Sequence, residues 1–294
     1  RPIIVTGPTG VGKSAFAVAL AEKIQGEIVG ADAFQIYSGL PILTAQPGPD
    51  LLARVPHHLI GILGLDDSCD AARYAGLASQ AIREIQSRGR TPILAGGTGL
   101  YLKALTHGLA ELPPVDPALR KALSEMELPE ALARLRKADA GVQIDEKNPV
   151  RVRRALEIVL STGKPLAASR TNWNSVCNDF GGILLERSDL RERIAANVDA
   201  MFSQGAIEEV LRAGIVGPGA SRAIGFREIQ ELIAGRMTRL ECRDWIITAT
   251  RRYAKRQLTW CRHQFNFPAI NLTPSISPDE LLDTALHLAG RSEA

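Results

Sequence analysis

Ile3-Ile4-Val5-Thr6-Gly7-Pro8-Thr9-Gly10-Val11-Gly12-Lys13-Ser14 opens the chain with an apolar run, a glycine-rich turn and the start of a second apolar pattern. Its last eight residues fit G-x-x-x-x-G-K-[ST], a motif that requires a strand before it and a helix after it. Both are expected here. Pro2 to Thr6 reads as a short buried strand, and Lys13 to Ile24 reads as a helix closing at Gly26. In such a loop the glycines let backbone N–H groups curl around phosphate oxygens, and the helix N-terminus adds partial positive charge. Gly7, Thr9, Gly10, Val11, Gly12, Lys13 and Ser14 are therefore candidate diphosphate-binding residues, with Lys13 as the neutralising cation and the Ser14 hydroxyl as a candidate Mg²⁺ ligand. The motif points to a diphosphate or triphosphate and leaves the reaction open.

Working outward, Glu27 to Ala31 reads as a second strand. Further on, a helix ends over Ile82 to Arg88, Gly89 breaks it, and Pro92 to Ala95 forms a strand that runs into Gly96-Gly97-Thr98-Gly99. Strands alternating with helices imply an α/β fold, a P-loop NTPase-like parallel sheet covered on both faces. Ligands of such sheets lie beyond the carboxyl ends of the strands, where Gly7, Asp32 and Gly96 all fall. Asp32 admits three readings: a Mg²⁺ ligand as in a nucleoside triphosphatase, a general base that accepts a proton from an attacking amine, or a helix cap. Thr98 sets a hydroxyl and flexible backbone at another strand end, suited to phosphate or a nucleobase. The pair His57-His58, between Pro56 and Leu59-Ile60, reads as structural.

The pattern changes at Leu112-Pro113-Pro114, after which Asp116 to Leu160 gives helical stretches broken near Pro129, Gly141 and Pro149. A β-like run returns at Gly182 to Leu185. The expected organisation is a catalytic α/β core of residues 1–111 and 178–294 with a helical insertion of residues 112–177. Glu192 to Arg212 and Leu240 to Arg262 are further long helix candidates.

Composition narrows the class. At 294 residues and 45% apolar content the chain can bury a substantial core. The purest short apolar run, Ala15 to Ala21, covers barely two helical turns, so no membrane span is expected. The chain enters its first strand without a charged leader, and a cytoplasmic monomer is the expectation. Cys69, Cys177, Cys242 and Cys261 are separated by 108, 65 and 19 residues, which fits neither a metal knuckle nor a disulfide framework. Net charge is +3, yet the segment from Arg222 to Arg262 carries +6 and the remainder −3. A concentration of charge on that scale attracts a polyanion through counterion release.

Taken together these segments resemble the bacterial tRNA dimethylallyltransferases, also called tRNA isopentenyltransferases. The resemblance runs through Gly7 to Ser14, Ala31-Asp32 with Gln35 and Tyr37, Thr44-Ala45 with Pro47, Val55 to Leu59, Gly96 to Tyr101, Asn148 to Glu157, Arg222 to Glu228 and Tyr253 to Trp260. It implies that the P-loop holds the pyrophosphate of dimethylallyl diphosphate with Mg²⁺ while the exocyclic amine of an adenine in tRNA attacks the allylic carbon. On that resemblance Asp32 receives the amine proton, and Thr98 and Arg222 stabilise charge on the leaving group. Gln35, Tyr37, Gln46, Arg151, Arg154, Arg251, Lys255, Arg256 and Gln257 become the candidate tRNA-binding residues, and the insertion is expected to grip the anticodon stem-loop. The rival readings are a prenyltransferase of free adenylate, a P-loop nucleotide kinase or regulatory nucleotide-binding module, and an RNA-binding protein without catalysis.

Overall fold

The computed structural model describes residues 1–110, 112–113, 116–169, 179–272 and 278–290. Strand β1 (Ile3–Thr6) leads through the glycine turn into α1 (Lys13–Ile24), and β2 (Gly26–Gly30) follows at once. The short helix α2 (Pro49–Leu52) precedes the two-residue edge strand β3 (His57–His58). Helix α3 (Ala71–Ser87) then feeds β4 (Thr91–Ala95), which runs into α4 (Gly99–His107). Helices α5 (Pro117–Glu125), α6 (Leu128–Ala138) and α7 (Pro149–Thr162) come next, before β5 (Gly181–Glu186). The chain continues through α8 (Leu190–Ser203), α9 (Ala206–Ala213), α10 (Phe226–Ile233), α11 (Arg239–Gln264), β6 (Ala269–Asn271) and α12 (Pro278–Gly290).

The six strands form one parallel sheet in the order β3-β2-β4-β1-β5-β6. Period-two alternation sends neighbouring side chains to opposite faces, so a sheet covered on both faces needs apolar residues in succession. Ile3, Val5, Ile28, Ile93, Ile183 and Leu185 pack on the face that α1 and α12 cover. Ile4, Val29 and Leu94 pack on the other, beneath a larger core that includes Tyr74 of α3, Leu102 of α4, Val198 of α8 and Ile246 of α11.

Two compact units result, residues 1–106 with 177–294, and residues 107–176. The sequence reading placed these boundaries at 111 and 178. Within the second unit, α6 and α7 form the main helix pair around Leu123, Leu135, Val152 and Leu156, with α5 packed on α7. Glu157 is buried there and is neutralised by Arg120 at 2.9 Å and Arg154 at 2.6 Å.

Two local expectations are corrected. Gly26 does not cap α1; Gln25 adopts the left-handed conformation (φ 53°) instead, and Gly26 already belongs to β2. Gly26 is required by packing, since a Cβ there would stand 2.9 Å from the Thr91 carbonyl oxygen. The helix expected from Glu192 to Arg212 is two helices, broken at Gly205 with φ 97°. The edge strands β3 and β6 carry too few residues to show a period.

Candidate active site

The site is assembled at the carboxyl ends of β1, β2 and β4, where Thr9 and Gly10 of the first glycine turn join its lining. Gly12 takes φ 109° at the N-cap of α1, and no side chain caps the helix, whose first turn also lacks acids. Its N-terminal N–H groups therefore keep their capacity for an anion. Lys13 folds back so that its ammonium donates to the carbonyls of Gly7 and Pro8, each at 3.0 Å. Desolvation lowers its pKa to about 8, against the opposing pull of the Asp32 charge. Arg193 on α8 donates from Nε to the Gly10 carbonyl at 3.1 Å.

Asp32 follows β2 by two residues. Its Oδ1 accepts the N–H of Phe34 at 2.9 Å and that of Gln35 at 3.4 Å, so one oxygen does cap the following turn. Oδ2 has no hydrogen-bond partner among the described residues, and the half-buried carboxylate lines a cleft. Thr98 is bound to the same segment from the second glycine turn: its Oγ1 accepts the Ala33 N–H at 2.9 Å, and its N–H donates to the Ala31 carbonyl at 3.2 Å. A side chain at Gly96 could not exist there, since its Cβ would meet the Ala31 carbonyl oxygen at 2.1 Å. Backbone contact between the two strand ends thus brings Asp32 and Thr98 together.

The cleft has a volume of about 350 Å³. Thr9, Gly10, Asp32 and Tyr253 supply polar lining, while Phe34, Ile42, Ile194, Val198, Met201 and Ile246 supply an apolar wall. A pocket with one apolar side and a few convergent polar groups suits a ligand that is part hydrocarbon and part anion. One rim of the cleft is the loop from Phe34 to Gln46, which is held by amides and a carboxylate. Gln35 Nε2 donates to the carbonyls of Thr44 at 3.1 Å and Ala45 at 2.7 Å, and Gln46 Nε2 to those of Gln35 at 2.9 Å and Tyr37 at 2.8 Å. Glu209 of α9, buried, accepts the N–H groups of Ile42 at 2.8 Å and Leu43 at 2.7 Å.

The residues expected to bind RNA divide. Lys255 and Arg256 are exposed on α11, with the Arg256 guanidinium over the Tyr253 ring at 5.7 Å. Arg251 is partly engaged, donating to the Arg191 carbonyl at 3.1 Å. Tyr37 and Gln257 are 2% and 5% exposed, and neither presents its polar group to solvent. The Tyr37 hydroxyl accepts the Cys69 N–H at 3.2 Å and belongs to the core. The Gln257 amide lies between the two glycine turns. Arg151 and Arg154 belong to α7 in the second unit, where Arg154 serves Glu157 and Arg151 stands 4.0 Å from Asp145. Arg222 is exposed on a 3₁₀ turn (Ala220–Arg222) and is not among the residues lining the cleft, although the next residue, Ala223, is.

Sequence reasoning passed over Tyr253, Arg193 and Glu209. Tyr253 lines the cleft, and its hydroxyl interacts with Thr98 and Gln257; burial and the Asp32 charge raise its pKa well above the usual phenol range. Its spacing to Gln257, Trp260 and Cys261 is i, i+4, i+7, i+8, one helical stripe, and that was the available signal.

Residues 35–264 match the family model described as IPP transferase. The chain is 39% identical over 291 residues to the tRNA dimethylallyltransferase of Akkermansia muciniphila, covering 98% of this chain and 99% of that one. It is 43% identical over 276 residues to the tRNA dimethylallyltransferase of Geobacter sulfurreducens, with 88% of each covered. Among solved structures it is similar to the full-length tRNA isopentenylpyrophosphate transferase of Bacillus halodurans, with a TM-score of 0.73, 33% identity, and 99% and 96% of the two chains covered.

Proposed function

The chain belongs to the IPP transferase family, and we propose that it transfers a dimethylallyl group from dimethylallyl diphosphate to N6 of the adenosine immediately 3′ of the anticodon in tRNA. The observation that carries this reading is the cleft, where a carboxylate with one unengaged oxygen faces an apolar wall and borders an anion-binding loop. A kinase needs the loop and the carboxylate but has no use for the hydrocarbon side.

In the proposed step the N6 lone pair attacks C1 of the dimethylallyl group, the C1–O bond breaks, and pyrophosphate departs with the bonding pair. Asp32 takes the proton that the amine loses, a general base held in place by the Phe34 and Gln35 N–H groups. The P-loop amides, Lys13, Thr98 and Arg222 stabilise the charge gathering on pyrophosphate, an interaction strongest in the transition state. The Ser14 hydroxyl is a hard oxygen donor that fits Mg²⁺. That ion would neutralise part of the diphosphate charge. The helices of residues 107–176 and the exposed cations of α11 are proposed to hold the anticodon stem-loop, and the enzyme is proposed to act as a cytoplasmic monomer. Among the described residues, no helix is long and apolar enough to cross a membrane.

The test is to incubate the protein with labelled dimethylallyl diphosphate and Mg²⁺, offering unmodified tRNA, AMP or ATP separately. Label is expected in tRNA alone. Transfer to AMP would establish the free-nucleotide activity instead, and cleavage without transfer would overturn the reading.

A further inference from the structure

We propose that Gln257 is a positioning residue that fixes the pyrophosphate cradle in register with the Thr98 turn. The inference rests on the prenyl-transfer reading for its consequence in turnover, but its geometry stands by itself. Gln257 Oε1 accepts the N–H of Thr9, in the P-loop, at 2.8 Å. Gln257 Nε2 donates to the carbonyl of Gly97, in the second glycine turn, at 3.0 Å. The side chain is buried, and a Cβ added at Gly97 would lie 2.3 Å from Nε2, so the amide fills the space between the turns.

A primary amide suits this gap. It carries an acceptor and two donors in one plane, and here one end must meet an N–H and the other a carbonyl. Flipping it would oppose donor to donor and oxygen to oxygen, which makes its orientation unique. A carboxylate offers no donor, and an aliphatic side chain would leave both backbone groups buried and unpaired.

The neighbours of Gln257 on α11 act on the same two turns. One turn earlier, Tyr253 interacts with Thr98 and Gln257. One turn later, the Trp260 ring packs so closely on Gly99 that a Cβ would come within 2.1 Å of it, and Cys261 Sγ lies 3.4 Å from Thr6 Oγ1 at the end of β1. One stripe of α11 thus templates both glycine turns, and Gln257 is the member that hydrogen-bonds to each. Since a displacement of about 1 Å can cost about 10²-fold in rate, a strut between the anion cradle and the turn bearing Thr98 governs how well the two act on one leaving group.

The test compares wild type with Gln257→Glu and Gln257→Leu, each at a temperature where circular dichroism shows it folded. Prenyl transfer is followed from pH 6 to 8, and binding of inorganic pyrophosphate by calorimetry. Gln257→Leu is expected to lose about 10²-fold in kcat and to bind pyrophosphate more weakly, with little change in KM for tRNA. Gln257→Glu should be equally impaired at pH 8 and recover as pH falls, because the protonated acid regains an O–H donor beside a carbonyl acceptor. The ratio of variant to wild-type rate is the readout, so that pH effects common to both proteins cancel. Wild-type kcat and pyrophosphate affinity in the Leu variant would overturn the proposal, as would a ratio for the Glu variant that stays low and flat with pH. If Gln257→Leu fails to fold, the Glu ratio alone decides. If wild type transfers no prenyl group, the prenyl reading fails separately, and the pyrophosphate affinities still judge the strut.

Discussion

Lys13 stands where folding and binding pull in opposite directions. Its ammonium is held among loop carbonyls, and desolvation brings its pKa to about 8. Between pH 8 and 10.5 the unfolded chain binds the proton that the folded one has released, so this group costs stability at neutral pH, and the cost fades as pH rises through that window. A bound diphosphate reverses the balance by favouring the charged form. Donor affinity should therefore be near its plateau at pH 7 and fall as pH passes 8, to about one eighth at pH 9 relative to pH 7.5. Calorimetric titration with dimethylallyl diphosphate checks this, and Lys13→Met should bind weakly with a flat profile. Asp32 gives a second residue-scale prediction. Asparagine keeps Oδ1 as the acceptor for Phe34 and Gln35, so the turn should persist while the base is lost. Asp32→Asn should lower single-turnover rates by about 10²-fold or more with donor affinity nearly unchanged. Rescue by excess Mg²⁺ or Mn²⁺, with weakened donor binding, would instead identify Asp32 as chiefly a metal ligand.

At the scale of elements, the loop from Phe34 to Gln46 is held from beneath by the buried carboxylate of Glu209. Glu209→Ala would leave the Ile42 and Leu43 N–H groups without their acceptor, at a cost of about 2–3 kcal/mol in urea denaturation. Because that loop lines the cleft, the variant should also raise KM for the acceptor more than for the diphosphate; an unchanged KM would show that the loop keeps its shape without Glu209. What the sequence disclosed at this scale depended on distance along the chain. The strand, P-loop and helix from Ile3 to Ile24 were readable because every determinant lies within one segment. The pairing of Asp32 with Thr98 was suggested only by both lying at strand ends, and backbone bonds between residues 31–33 and 98 accomplish it. Glu209 gave no signal, since its partners are 166 and 167 residues away. The burial of Tyr37 and Gln257 was not readable because polar residues in a segment that resembles a binding motif look alike whether they face a ligand or brace the loop that does.

At the scale of the whole molecule, the +6 segment resolves into engaged and free charge. Arg236 pairs with Glu231, Arg243 with Asp199 and Asp244, and Arg262 with Glu186. Arg251 donates to the Arg191 carbonyl, and Arg239 lies over the Phe202 ring at 5.4 Å. Arg222, Arg227, Arg252, Lys255 and Arg256 are exposed and have no ion pair among the described residues. Arg252, Lys255 and Arg256 follow one another at i, i+3 and i+4 and so lie on one side of α11. Counterion release makes the logarithm of RNA affinity fall linearly with the logarithm of salt, by about 0.7 to 0.9 for each phosphate met. Lys255→Ala and Arg252→Ala should each reduce that slope by about one and weaken all RNA sequences alike, because phosphate contacts position without specifying. Arg262→Ala and Arg236→Ala should leave the slope unchanged, since their charge is already answered by a carboxylate. Filter binding of an anticodon stem-loop from 50 to about 200 mM salt separates these classes. Equal slopes for free and paired cations would mean that net charge alone draws the RNA, and that this side of α11 makes no contact of its own.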